Sequence, residues 1–336
     1  MNKELDIYKK NKIKNLQNIY NKNVSSLKYL FVLNINKINS TRLISQSVKQ
    51  RNINNLNTQY NANINALKTK LSQDIINVQK FTPNKIEFNK NNKALLIGIN
   101  YIGTQNELYG CINDVNNIKE RISKKGFTDN NIKIMTDLTP KIPNKLNILE
   151  EFKNLLVNSE PGDLLFFLYS GHGSYTIDRN GDEKDRYDEM IIPSDLQGIL
   201  DDDIKTLIQT YLKSDVTLFA MFDSCFSGSV LDLKYQYLDS LNYDTYTENP
   251  NDLETKGNVF MISGSTDEQT SADAIINNKA SGAMTWSLLE ALNQNPTCSW
   301  RDLIKTMRDL LSKSKYTQIP QFSSGTFVNI DLEVFI

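Results

Sequence analysis

Two almost unbroken apolar runs, residues 164–169 and 216–222, constrain this 336-residue chain more than any other feature. Each is too short for a buried helix and too continuous for a strand with one wet face, so both read as strands buried within a parallel sheet. Small residues end them: Ser170-Gly171-His172-Gly173 after the first, and Asp223-Ser224-Cys225-Phe226-Ser227-Gly228 after the second. Open α/β sheets bind ligands beyond the carboxyl ends of their strands. His172, the one histidine in the chain, and Cys225 therefore come to the same sheet edge. A thiol is only slightly ionised near neutrality and becomes an efficient nucleophile when an adjacent imidazole takes its proton. The pair has the layout of a cysteine hydrolase, with Cys225 as nucleophile and His172 as base. Backbone N–H groups of Gly173 and Cys225, placed by the glycine-containing turns, are the expected donors to the oxyanion. No third member of a triad is identifiable.

The chain from residue 93 onward alternates strand and helix patterns. Further strands are expected at 94–99, 132–136, 259–263 and 327–330, and helices at 114–125, 144–156, 202–212, 281–293 and 299–312. This alternation predicts an α/β fold whose mostly parallel sheet is covered on both faces. Residues 233–256, polar and tyrosine-rich without a persistent period, read as a surface loop.

The N-terminal part differs in charge and pattern. Residues 1–92 hold 16 Lys and Arg against 4 Asp and Glu, a balance of +12, whereas the remainder holds 22 against 35, a balance of −13. Neither Gly nor Pro occurs before Pro83. Apolar residues recur every three or four positions, as Ile13, Leu16, Tyr20, Val24, Leu27 and Phe31, then as Ile53, Leu56, Tyr60, Ile64, Leu67, Leu71, Ile75 and Val78. A long helical hairpin, or two coiled-coil segments, is expected over residues 1–82. The pattern breaks at 37–41, where Ser40 or Thr41 would cap the second helix. Abundant Asn lowers helix propensity, so packing must supply much of the order. Residues 83–92 read as a polar linker and 93–336 as the catalytic domain. Three roles compete for the basic arm: an inhibitory prodomain attracted to the acidic domain, an oligomerisation module, or a basic surface for nucleic acid or anionic membrane. No nucleic-acid-binding motif is recognisable.

Asp223 stands two residues before the nucleophile, and Asp114 follows a glycine-bearing turn after a strand. Both are placed to reach the cleft, where two partly desolvated carboxylates would attract Lys or Arg and repel acidic side chains. Cys111 and Ser170, close to these motifs, are further candidates for the lining.

Tyr169-Ser170-Gly171-His172-Gly173 followed by Asp223-Ser224-Cys225-Phe226-Ser227-Gly228 resembles the catalytic pair of the metacaspases, caspase-like cysteine peptidases of family C14. Segments 108–114, 187–189, 199–203, 263–265 and 269–272 match in order, so the resemblance runs from about Lys93 to the C-terminus. It implies a caspase-like α/β/α sandwich of compact type I form, and cleavage after Arg or Lys selected by Asp114 and Asp223. It also implies calcium as activator, bound by Asp188, Asp201, Asp202 and Asp232, with Asp203 an alternative for one of the adjacent pair. Hard carboxylate oxygens suit calcium over zinc. Asp232 lies seven residues beyond Cys225, so the ion could order the nucleophile loop and switch activity on. Asp178-Arg179-Asn180-Gly181-Asp182 lacks EF-hand spacing beyond its glycine and reads as a turn. Lys234 and Lys256 are candidate self-cleavage sites for a Lys-directed peptidase.

Two departures stand out. The residue after the nucleophile is usually histidine in the family and is Phe226 here, which can neither donate nor accept a proton. The arm is unlike the Pro- or Gln-rich and zinc-finger prodomains of the family. Both features favour a competing reading, a catalytically weak or inactive scaffold that recruits partners through its helical arm. Cys111, Cys225 and Cys298 are too few and too far apart for a disulfide framework or a zinc cluster. With no bilayer-length apolar stretch and no signal-peptide pattern, a reducing, cytoplasmic setting is expected. The leading expectation is a calcium-activated cysteine endopeptidase acting on proteins or peptides after Arg or Lys.

Overall fold

A computed structural model describes residues 3–82, 88, 91–177, 187–225, 231, 233–239, 242–249, 252–264, 273–276 and 279–336. The chain divides into two compact units, Met1–Asn84 and Lys85–Ile336. Among the described residues no helix is long and apolar enough to cross a membrane.

The first unit is a hairpin of α1 (Lys3–Ser40) and α2 (Gln46–Lys80). The two apolar stripes face each other, with the rings of Phe31 and Tyr60 stacked at 4.5 Å and those of Tyr8 and Phe81 tilted against each other at 5.4 Å. Two helices alone cannot enclose their seam, and no residue of α2 is fully buried. The cap differs from expectation. Ser45, not Ser40 or Thr41, caps α2 by accepting from the Val48 N–H, while the hydroxyls of Ser40 and Thr41 donate back to the Lys37 carbonyl and finish α1.

The second unit begins with β1 (Lys93–Gly98), α3 (Cys111–Ser123), β2 (Ile132–Thr136), α4 (Lys145–Val157) and β3 (Leu164–Ser170). It continues through β4 (Gly173–Ile177), β5 (Tyr187–Ile191), β6 (Ile199–Leu200), α5 (Asp201–Tyr211), β7 (Thr217–Asp223), β8 (Tyr235–Asp239) and β9 (Asn242–Glu248). It ends with β10 (Asn258–Ser263), β11 (Asp273–Ile276), β12 (Lys279–Gly282), α6 (Ala283–Gln294), α7 (Trp300–Lys313) and β13 (Gln321–Ser324). The main sheet has the order β2-β1-β3-β7-β10-β13-β8-β9, parallel from β2 to β10 and antiparallel beyond.

Alternate side chains along each central strand serve opposite faces. Leu95, Ile97, Phe167, Tyr169, Leu218 and Phe222 join one core with Ile148 and Phe152 of α4 and Ile204 and Ile208 of α5. On the other face Phe219 and Phe260 stack on Trp300 of α7 at 5.7 and 5.6 Å, and Phe166 meets Phe127. The unit is an α/β/α sandwich, as the alternation predicts.

Two expected features are replaced. The stretch 233–256 is not simply a surface loop, because β8 and β9 extend the sheet beyond β13, with Tyr235 and Tyr237 fully buried. A strand whose buried side chains are tyrosines carries little aliphatic signal, which hides it from an aliphatic count. The last strand is Gln321–Ser324 rather than 327–330, paired antiparallel to β10. Three of its four residues, Gln321, Ser323 and Ser324, are buried but polar, so only Phe322 gives it an apolar signature, whereas Phe327, Val328 and Ile330 are buried outside any strand.

Candidate active site

Parallel pairing sets Gly98, Ser170 and Asp223, the last residues of β1, β3 and β7, abreast at one sheet edge. The three chains leaving that edge carry the candidate residues. Gly98 is required there, since a β-carbon would overlap the Cys111 carbonyl and lie 2.7 Å from Val115 Cγ2. Its absence lets the first turn of α3 settle on β1, bringing Asp114 to Ser170.

His172 follows β3 in a turn held by two buried tyrosines. The Tyr101 hydroxyl accepts from the His172 N–H at 2.9 Å and donates to the Ile192 carbonyl at 2.5 Å. The Tyr169 hydroxyl lies 2.7 Å from the His172 carbonyl and 3.1 Å from the Tyr101 hydroxyl. Burial, above all, pushes the pKa of both tyrosines up, so they remain protonated donors. The Tyr101 ring also packs on the imidazole, with centroids 4.6 Å apart. No residue type in the sequence marks a third member for the pair, yet His172 Nε2 lies 2.7 Å from the Asn106 carbonyl oxygen. A carbonyl only accepts, so Nε2 carries the hydrogen and Nδ1 is left as the base. The segment bearing Asn106 is strapped by Asp137, whose carboxylate accepts from the N–H groups of Asn100 and Ile102, and by Asn100, whose side chain caps α3 at Ile112. A backbone acceptor has no residue signature, which is why the sequence concealed it.

Cys225 is half-buried just past β7 and is in no disulfide, nor are Cys111 and Cys298. The two functional turns touch at Gly173, where a β-carbon would overlap the carbonyl oxygen of Cys225. Gly173 opposes Ile191 across β4 and β5, while the ladder bond runs from the Ile192 N–H to the His172 carbonyl. Gly173 is thus in a non-hydrogen-bonded pair, and its N–H points away from β5. Phe226 lies outside the described residues.

Asp114 and Asp223 are both buried. A β-carbon on Gly282 would overlap Asp223 Oδ2 and lie 2.8 Å from Asp114 Oδ2, so the two carboxylates converge on one glycine. Asp114 accepts from Ser170 at 2.8 Å, from Ser281 at 2.6 Å and from the Gly282 N–H at 3.0 Å. Asp223 accepts from the Thr285 N–H and hydroxyl at 2.8 and 2.7 Å. Burial first, then the Asp223 charge, raises the Asp114 pKa well above the usual aspartate range, against the opposing effect of its hydrogen bonds. Cys111 is buried three residues before Asp114, in the first turn of α3. Ser281, Gly282 and Thr285 are hidden in the sequence because the residue pattern suggests a helix from Ser281, whereas β12 ends at Gly282 and α6 starts at Ala283.

The acidic candidates for a metal lie elsewhere, around β5, β6 and α5. Asp188 and Asp201 are buried, Asp202 is half-buried, and the pairing of Met190 with Leu200 runs β5 past the start of α5. Asp203 instead faces Lys145 at 3.5 Å. Among the described residues no three acidic, His or Cys side chains form a metal-binding group. Asp232 and residues 178–182 lie outside the described residues.

A family model for the metacaspase peptidase C14 domain matches residues 92–234. Metacaspase-1 of Kluyveromyces lactis is 37% identical, over 73% of this chain and 68% of its own length. Metacaspase-1A of Neurospora crassa is 38% identical, over 71% of this chain and 64% of its own. The chain thus spans about two thirds of these relatives. A crystal structure of a Geobacter sulfurreducens protein aligns with a TM-score of 0.54 at 22% identity, covering 72% of this chain and 97% of that one, and so shares the fold. With its histidine and cysteine turns meeting at the edge of an α/β/α sheet and its sequence matched by these relatives, the chain belongs to the metacaspases, a caspase-like family of cysteine peptidases.

Proposed function

We propose that this peptidase cleaves after Arg or Lys, that calcium activates it, and that it can process itself. The observation that carries the specificity is the convergence of Asp114 and Asp223 on Gly282, whose lack of a side chain lets both carboxylates close on one point. A guanidinium or ammonium there would restore the charge balance that the raised Asp114 pKa reveals as lacking. In the reaction, His172 Nδ1 takes the proton of Cys225, and the thiolate attacks the carbonyl carbon of the basic residue. The oxyanion is met by the N–H groups of Gly173 and Cys225. The imidazolium then protonates the departing amine, and water, deprotonated by His172, releases the acyl group and regenerates the thiol.

For calcium, the oxygen-only chemistry of Asp188, Asp201 and Asp202 fits a hard cation, and Asp232 would join them. Calcium would supply the charge that holds these acidic groups together and orders the segment after Cys225.

Release of fluorophore from Arg-, Lys- and Asp-terminated peptide amides, with and without calcium, tests the reading. Turnover of the basic substrates alone, lost in Cys225→Ala, is the expected result. Absence of turnover under every condition would favour the scaffold reading. Calorimetric titration of calcium into Cys225→Ala checks the ion independently of activity.

A further inference from the structure

We propose that the outer face of α1 and the turn after it dock on an anionic phospholipid bilayer. The proposal is independent of the peptidase reading. A surface helix ordinarily carries one apolar stripe, and α1 carries in addition a second apolar patch about one turn long. The stripe forms the seam with α2. The patch lies away from that seam and faces solvent: Tyr29 is 68% exposed, Leu30 55% and Leu33 46%, and Leu43 in the turn is 97% exposed. Tyr29 and Leu33 are four residues apart and Leu30 and Leu33 three, so they share a face. Lys22, seven residues before Tyr29, and Lys37, four after Leu33, extend that face at both ends.

Charge selects the occupant. Residues 7–73 contain 12 Lys and Arg and not one Asp or Glu. A second arm laid on the same patch would set two uniformly cationic surfaces against each other. A nucleic acid would satisfy the lysines but not Leu30, Leu33 and the fully exposed Leu43. An anionic bilayer answers both demands, taking the apolar side chains into the boundary between headgroups and acyl chains while its phosphates and carboxylates meet the lysines. Tyr29, with an apolar ring and a polar tip, suits that depth.

The test is co-sedimentation of the full chain with vesicles of phosphatidylcholine alone or mixed with phosphatidylserine, at low and high salt. The expected result is retention on the serine-containing vesicles only, weakened by salt. Replacing Tyr29, Leu30 and Leu33 together by Ser should weaken retention by about tenfold or more. Circular dichroism of the triple variant reports whether the hairpin survives, and Lys22→Glu with Lys37→Glu, which leaves the patch intact, should also release the protein. Equal retention on both vesicle types, or retention untouched by either variant, would overturn the proposal. Loss in the triple variant of a dimer seen by light scattering, or of binding to duplex RNA, in place of vesicle binding would reassign the face to a second copy or to nucleic acid.

Discussion

His172 Nε2 stands 2.7 Å from the carbonyl oxygen of Asn106, a backbone acceptor that fixes the imidazole tautomer. Because the contact is made by main chain, it depends on the fold of residues 100–108 and not on the Asn106 side chain. Asn106→Ala should keep most activity. Asp137→Ala, which removes the carboxylate gripping the Asn100 and Ile102 N–H groups, should lower kcat by about tenfold with a smaller change in KM. Steady-state kinetics of the two variants separates these outcomes, and equal losses would place the Asn106 side chain in the site.

The tyrosine pair offers a second test. Tyr101→Phe removes the acceptor of the His172 N–H and the donor to the Ile192 carbonyl in a buried setting, at a cost of about 1–3 kcal/mol. Urea unfolding should show that loss, and kcat should fall with it because the turn carrying the base loosens. Unchanged stability would mean that the hydroxyl is replaced without strain.

Gly282→Ala distinguishes substrate selection from bond breaking. The added methyl group would overlap Asp223 Oδ2 and lie 2.8 Å from Asp114 Oδ2, crowding the two carboxylates. Cleavage after Arg and Lys should fall by about 10²-fold, whereas alkylation of Cys225 by iodoacetamide should proceed at the wild-type rate. Loss of both would show that the variant had disturbed the nucleophile as well.

The raised pKa of Asp114 has a definite sign. The folded protein holds this proton at pH values where the unfolded chain has released it, so the group's contribution to stability falls as pH rises from the ordinary aspartate range through the raised value. A basic side chain in the pocket favours the carboxylate. Apparent KM for Arg substrates should therefore fall as pH rises through that range, and stabilisation of Cys225→Ala by an arginine-terminated peptide should grow. A KM flat across the range would remove the Asp114 charge from recognition.

Self-cleavage should fall after Lys256 rather than Lys234. Lys256 is exposed, while Lys234 donates to the Asp252 carbonyl at 2.7 Å and faces Glu248 at 3.5 Å. Mass spectrometry of calcium-treated protein checks this, with Lys256→Gln expected to abolish the cut and Lys234→Gln to spare it.

What the sequence made legible follows from physics. Central parallel strands are continuous apolar runs, so β3 and β7, and with them His172 and Cys225, could be placed from residue types alone. The carboxylates were legible because charge close to a strand end is costly unless used. Hidden were the contributions that leave little or no residue signature: the Asn106 carbonyl, the missing β-carbon at Gly282, and a strand such as Gln321–Ser324 whose buried side chains, Phe322 apart, are polar. The turn hydroxyls of Ser40 and Thr41 misled because the same chemistry that begins one helix can finish another.

Asp114 and Asp223 precede residue 256 in the chain, and Ser281, Gly282 and Thr285, which grip them, follow it. A molecule nicked after Lys256 would have its two polypeptides still zipped together where β7 lies beside β10 and β8 beside β13. Neither fragment would own a complete recognition pocket. Substrate choice would then belong to a two-chain assembly, and separating the fragments would erase it without altering a single residue.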